Sequence, residues 1–150
     1  MCVEKIIVDY FDKNNKELAK EIIWGEKFDD NQYFVRSIPF FIPNIAFDDL
    51  IEVEKEDEIV YFSDLIKVSN NSTVRVIFFE DDPKGIDEFL KGVESYSSQW
   101  EKFTSKPYYA INVPKEVNYK TLKTYLEKYE RGFFDYEESC LSEKHSNDLL

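Results

Sequence analysis

The run from Thr73 to Phe79 limits the possible folds of this chain more than any other stretch, because as a strand it is apolar on both faces. Val74, Val76 and Phe78 point one way, Ile77 and Phe79 the other, and Arg75 is the single charge. A strand of that pattern is expected at the centre of its sheet, covered above and below. Glu80, Asp81, Asp82 and Pro83 come next. Asp82 can cap a helix there, and Pro83 can take its first position with no backbone N–H to leave unpaired. The residues before the run read as strands, and those after it as strands alternating with helices.

In the N-terminal half, Lys5 to Phe11 places Ile6, Val8 and Tyr10 on one face and Ile7 and Phe11 on the other, ending in Asp12, Lys13, Asn14 and Asn15. Lys16 to Glu21 has helix-forming composition, whereas Ile22, Ile23, Trp24 and Gly25 favour a strand. One long strand over Leu18 to Phe28, with a frayed or bulged start, is expected. Asp29 to Asn31 reads as a hairpin loop and Gln32 to Ser37 as the returning strand, stopped by Pro39, which cannot donate to a ladder. Phe40, Phe41, Ile42 and Pro43 are apolar but irregular, which suits the closing of a barrel end. Leu50 to Glu54 and Ile59 to Val68 are joined by the charged turn Lys55 to Glu58. Residues 1–71 are therefore expected to form a bent antiparallel sheet or half-open small β-barrel.

In the C-terminal half, Ile86, Phe89, Leu90, Val93 and Tyr96 recur at the spacing of one helix face. Gln99 to Thr104 reads as a mixed strand and Tyr108 to Val113 as an apolar one, ended by Pro114. A second helix comes after it, with Asn118 as cap, Val117 and Leu122 as a hydrophobic staple, and Gly132 as its stop. Phe133 to Glu138 is the last strand. Strand, helix, strand, strand, helix, strand over residues 72–140 is the split βαβ order of ferredoxin-like domains, in which the first and third strands are central. The fold class expected is α+β, the N-terminal sheet or half-open barrel fused to a C-terminal ferredoxin-like βαββαβ unit. The second face of the Val74 strand is expected to be covered by the N-terminal strands, and residues 141–150 to be a loosely held tail.

Charge narrows the partners. Of 150 residues, 31 are acidic and 19 basic, a formal net charge of −12, which repels phosphate backbones and anionic lipid and attracts basic proteins. Nucleic acid and membrane are thus unexpected ligands. Cys2 and Cys140 have neither zinc-site nor redox spacing and read as reduced thiols, and no apolar run has the length of a membrane span, so a cytoplasmic location is expected. The oligomeric state is left open.

No motif for catalysis stands out. His145, the only histidine, falls in the tail without a carboxylate or cysteine at ligand spacing, and Cys140 five residues earlier does not make it a preorganised base. Glu80 to Asp82 is better explained by helix capping than by Mg²⁺. Gly25, Gly85, Gly92 and Gly132 are isolated, which leaves no phosphate-binding loop. Trp24 and Trp100 read as partly buried core. No catalytic residue, cofactor or metal is expected.

Several of these segments together resemble a bacterial family known as domain of unknown function 4265. Ile23-Trp24-Gly25-Glu26 matches its tryptophan strand, and Tyr33 to Phe41 its Tyr-Arg-x-x-Asn-Ile-Pro-Phe-like run. Asp48 to Val53 matches a Gly-Asp-x-Val-Glu-like hairpin, and Ser69 to Val76 a Ser-Gly-His-Ser-Thr-x-Arg-Val-like strand. The chain departs at Asp48, where the pattern has Gly, and at Asn70-Asn71, where it has Gly-His. The resemblance spans roughly residues 5 to 138 and implies a fold without implying an activity.

The densest negative patch runs from Asp48 to Glu58, with seven carboxylates and one lysine. It reads as a surface that steers a cationic partner into place. The function expected is a non-enzymatic, acidic protein-binding module, most concretely an immunity protein that neutralises a basic toxin, a nuclease-type effector of contact-dependent growth inhibition. Its partner-binding residues are expected to be Asp48, Asp49, Glu52, Glu54, Glu56, Asp57 and Glu58, with Glu137 and Glu138. The alternative is a small-molecule-sensing domain with an apolar pocket near Trp24, Phe40 and Phe41, where the two halves join.

Overall fold

The computed structural model of the chain describes residues 2–150. Strands β1 (Val3–Asp12), β2 (Glu17–Asp29), β3 (Gln32–Val35), β4 (Leu50–Glu56) and β5 (Ile59–Lys67) form a closed barrel in that order. Closure comes from a short parallel pairing of β1 with β5, at Ile6 with Val60 and Ile7 with Tyr61. The barrel is thus closed, not half-open: period-two alternation gives each strand an inner face but does not say whether the first and last strands meet. Ile6, Val8, Ile23, Tyr33, Val35, Ile51, Val53 and Val60 fill the interior. Gly25 faces the same interior, where a Cβ would collide with the Ile6 side chain. The register of β2 with β1 is unbroken from Glu17 to Glu26, and the irregularity expected at the start of β2 lies at its end, between Lys27 and Asp29.

Strands β6 (Ser72–Phe78), β7 (Gln99–Lys102), β8 (Tyr108–Val113) and β9 (Phe134–Cys140) form a second sheet in the order β7-β8-β6-β9, with every neighbour antiparallel. Helices α1 (Pro83–Ser95) and α2 (Tyr119–Glu130) cover one face, packing Ile86, Phe89, Leu90, Val93, Leu122 and Leu126 on Val74, Val76, Phe78, Tyr109 and Ile111. Asn118 caps α2, accepting from the N–H groups of Lys120 and Thr121 at 3.0 and 3.4 Å. Gly132, at φ +71°, terminates the helix as expected. Asp82 occupies the cap position of α1, but its side chain makes no capping hydrogen bond.

The other face of β6 is not covered by barrel strands. A strap from Ile38 to Ala46 lies between the two units and is held from both sides. From the barrel, the buried Glu21 carboxylate accepts the N–H groups of Phe40, Phe41 and Ile42 at 2.7, 3.0 and 2.9 Å. From the second sheet, Arg75 donates to the carbonyl of Ile42 and the Tyr108 hydroxyl to that of Phe40. Coverage ends there, so Ile77 and Phe79, expected inside, are exposed.

Residues 141–150 are no loose tail. Ser142 caps a short helix, α3 (Glu143–Asp148), by accepting from the N–H of His145 at 3.1 Å. Asp148 accepts the N–H of Tyr119 at 3.0 Å, and Lys144 donates to the Val117 carbonyl at 2.9 Å. His145 is fully buried.

Candidate functional site

The expected partner-binding carboxylates separate into two groups. Glu52, Glu54 and Glu56 alternate on the outer face of β4, and Asp57 and Glu58 form the two-residue turn into β5, all five exposed. None of these five forms an ion pair among the described residues. Lys55, the single lysine of the patch, points to the other side of the strand, its ammonium 5.6 Å from the centre of the Tyr33 ring. The remaining four are engaged. Asp49 is 1% exposed and accepts the N–H groups of Ala46 and Ser69 at 2.9 and 2.8 Å, so it is an internal strut and not a docking group. Burial holds its carboxyl above the usual carboxylate range, those hydrogen bonds opposing. Asp48 pairs with Arg36, Glu137 with Arg75 at 3.0 Å, and Glu138 with Tyr119 and with Lys123 at 3.1 Å.

Beside the carboxylate ladder lies an apolar stripe that sequence reading missed. Pairing across the barrel wall puts Glu54 opposite Tyr61, Tyr61 beside Ile7, and Ile7 opposite Ile22. One step along, Glu56 faces Ile59 and Lys5 faces Trp24. Ile22 is 56% exposed, Ile59 42% and Trp24 40%. Trp24 is therefore on the surface and not in the core, with the Lys5 ammonium 5.8 Å from its ring centre, whereas Trp100 does pack against the second core. The missed signal was the odd-numbered set in Lys5 to Phe11: once Ile6 and Val8 point inward, Ile7 must point out.

The pocket expected near Trp24, Phe40 and Phe41 does not form from those residues. Trp24 lies outside, and Phe40 and Phe41 are packed edge-on against Phe103 and Tyr108, with ring centres 5.3 to 5.9 Å apart. A cleft of about 600 Å³ opens elsewhere along the junction, between the barrel rim (Phe34, Phe47, Leu50, Lys67) and the second sheet (Gln99, Asn112, Lys115). Asn71 stands in its wall and is fully used: its amide donates to the Phe47 carbonyl at 2.8 Å and accepts the Lys115 N–H at 2.9 Å.

His145 meets Ser72, with Nδ1 2.6 Å from the hydroxyl oxygen, and its Nε2 is 3.0 Å from the Pro114 carbonyl. The Ser72 oxygen also accepts the Ser142 N–H at 2.9 Å. The hydroxyl therefore donates to Nδ1, and Nε2–H donates to Pro114, a neutral imidazole with both nitrogens satisfied. Both side chains are fully buried, and together they pin α3 to β6. Burial pushes the Cys140 thiol up to about 11, far from a reactive thiolate.

These features define a two-unit α+β protein whose barrel carries an open apolar and acidic face. The chain belongs to the family described as domain of unknown function (DUF4265), whose profile matches residues 21–136. A crystal structure of a hypothetical protein from Neisseria gonorrhoeae is similar, with 31% identity over 95% of this chain and 97% of that one and a TM-score of 0.81. No curated protein matches. The two glycine positions of the family pattern are Asp48 and Asn70 here, and both hold φ +70°. Asp and Asn are the residues that best tolerate that backbone in place of glycine, so the departures preserve its shape.

Proposed function

We propose that this chain is a non-enzymatic, acidic protein-binding module that docks a basic partner on the outer barrel face. One observation carries the reading: the exposed ladder Glu52, Glu54 and Glu56, continued by Asp57 and Glu58, borders an outward stripe of exposed Ile59, Ile22 and Trp24 with half-buried Tyr61 and Ile7 between them. An apolar centre with a charged rim is the anatomy of a specific interface, with aromatic anchors supplying affinity and the rim steering encounter. The net charge of −12 extends that steering over the whole molecule. The partner is most concretely a basic toxin, a nuclease-type effector of contact-dependent growth inhibition, with this chain as its immunity protein. We further read the second unit as ferredoxin-like, on the support of its strand order and of both helices lying on one face.

The test is binding to the protein encoded directly upstream, measured with wild type and with a variant carrying Glu52→Gln, Glu54→Gln, Glu56→Gln, Asp57→Asn and Glu58→Gln. The association rate of the variant should fall by about tenfold or more at low salt. Trp24→Ala should speed dissociation instead, costing about 2 kcal/mol or more of affinity as an interface anchor. Binding unchanged in both variants would move the interface elsewhere. No binding by wild type would remove this partner.

A further inference from the structure

The junction cleft holds chemistry that the docking face does not use. Asn112, on the face of β8 turned away from the helices, is only 4% exposed. Its amide nitrogen donates to the Gln99 side-chain oxygen at 2.8 Å, but its Oδ1 has no hydrogen-bond partner among the described residues. A buried carbonyl oxygen left without a donor is uncommon in folded proteins and calls for an explanation. Asn71 and Ser69 offer none, because their polar atoms already serve the Phe47 carbonyl and the backbone of the surrounding loops.

The same cleft contains two lysines, Lys67 and Lys115, whose ammonium groups form no ion pair among the described residues. Of the two carboxylates in its wall, Asp48 is tied to Arg36, which leaves Glu116 on the rim. Two lysines against two carboxylates make the lining neutral on a chain of net charge −12, and the pairing of Asp48 with Arg36 leaves the lysines in excess over free acid. Phe34, Phe47 and Leu50 supply apolar wall, and about 600 Å³ lies within the range of small-ligand sites.

We infer that this cleft binds a small organic carboxylate carrying an N–H or O–H donor: the carboxylate against Lys67 and Lys115, the donor on Asn112 Oδ1, and the apolar body between Phe34 and Phe47. Gln99, exposed and paired beside Asn112 on the neighbouring strand, holds the Asn112 amide nitrogen and would turn aside to admit the donor. The chemistry is shared by a free acid, such as an N-acetylamino acid or a hydroxy acid, and by the C-terminus of a peptide. The site is separate from the barrel face, so it stands or falls independently of the docking reading.

The experiment is an NMR titration of the whole ¹⁵N-labelled chain with N-acetylamino acids, hydroxy acids, their methyl esters, and an N-acetyl pentapeptide with a free C-terminus. Saturable shifts of the Asn112 and Gln99 side-chain amides and of the Lys115 N–H are expected with the acids, at least about tenfold weaker with the esters. Tighter binding of the pentapeptide than of the single residue would assign a chain terminus as the ligand, and the reverse a free metabolite. Asn112→Leu should abolish the response while leaving the melting temperature equal or higher, because it removes the unpartnered oxygen. A merely structural Asn112 would instead lower it. Should that variant not fold, Lys67→Gln with Lys115→Gln decides, since both side chains are on the surface: an unchanged response overturns the site. Absence of any saturable shift in wild type overturns it as well.

Discussion

Asp57 and Glu58 both hold left-handed backbone, at φ 51° and 68°. A two-residue hairpin turn of this hand requires it, at a cost of roughly 1–2 kcal/mol for a side chain with a Cβ. Asp tolerates this conformation and Glu does so poorly. Glu58→Gly is therefore expected to raise stability by about 1 kcal/mol, read by chemical denaturation, while removing one rim carboxylate. A loss of stability would show that the Glu58 side chain contributes a contact the turn needs. His145 gives the second residue-level prediction. Burial is the main cause that holds its pKa below the ordinary 6.5; Lys144 adds to this, and the Pro114 carbonyl and Asp148 oppose it. Tyr119, its ring 5.6 Å away, and Glu138, which accepts the Tyr119 hydroxyl, complete its surroundings. The unfolded chain therefore takes up this proton at higher pH than the folded one. Stability is full above about pH 6.5 and is lost as pH falls below it, by at most about 1.4 kcal/mol per pH unit. His145→Gln should flatten that part of the stability profile. An identical slope in the variant would assign the loss to carboxylates instead.

Elements were legible wherever their apolar period was unambiguous. The alternation of β1, the face of α1 and the cap of α2 all stand in the sequence, and β6 and β8 are the two inner strands of their sheet, as their composition suggested. The strap was not legible, because Phe40 to Pro43 has no period. Its conformation is set by groups far away in sequence, Glu21 from the barrel and Arg75 and Tyr108 from the sheet. Glu21→Gln should cost about 2–4 kcal/mol, since an amide cannot accept three N–H groups as a carboxylate does. Thermal unfolding would read it, and a loss below about 0.5 kcal/mol would mean that water takes over the role of the carboxylate. Helix α3 escaped notice for a related reason. Ser142, three residues before His145, is a capping signal, but six residues show no periodicity, and only Ser72 and Pro114 make the histidine a core residue.

For the molecule as a whole, the proposed capture of a basic partner has a signature that no local contact would give. Association with the upstream-encoded protein should slow steeply as salt rises from about 0.01 to 0.15 M, over which the screening length shrinks from about 30 to 8 Å. The five-carboxylate variant should lose most of that slope, and an equal slope in both proteins would place the steering charge off the barrel face.

Local chemistry was enough to set the α+β class, the alternation of inward and outward side chains and the excess of negative charge, because each depends on neighbours within a strand, a helix turn or the bare composition. Long-range pairing set the rest. It closed β1 on β5, so that outward-facing Ile7 and Ile22 came beside Tyr61 and the β4 carboxylates, and it laid the strap over half of β6, so that Ile77 stayed exposed. It also buried Asp49 beneath two backbone N–H groups while leaving its neighbours along β4 in water. Whether a side chain of given chemistry becomes strut, anchor or charged rim depends on which distant segment packs against it, and that information lies in no single stretch of chain.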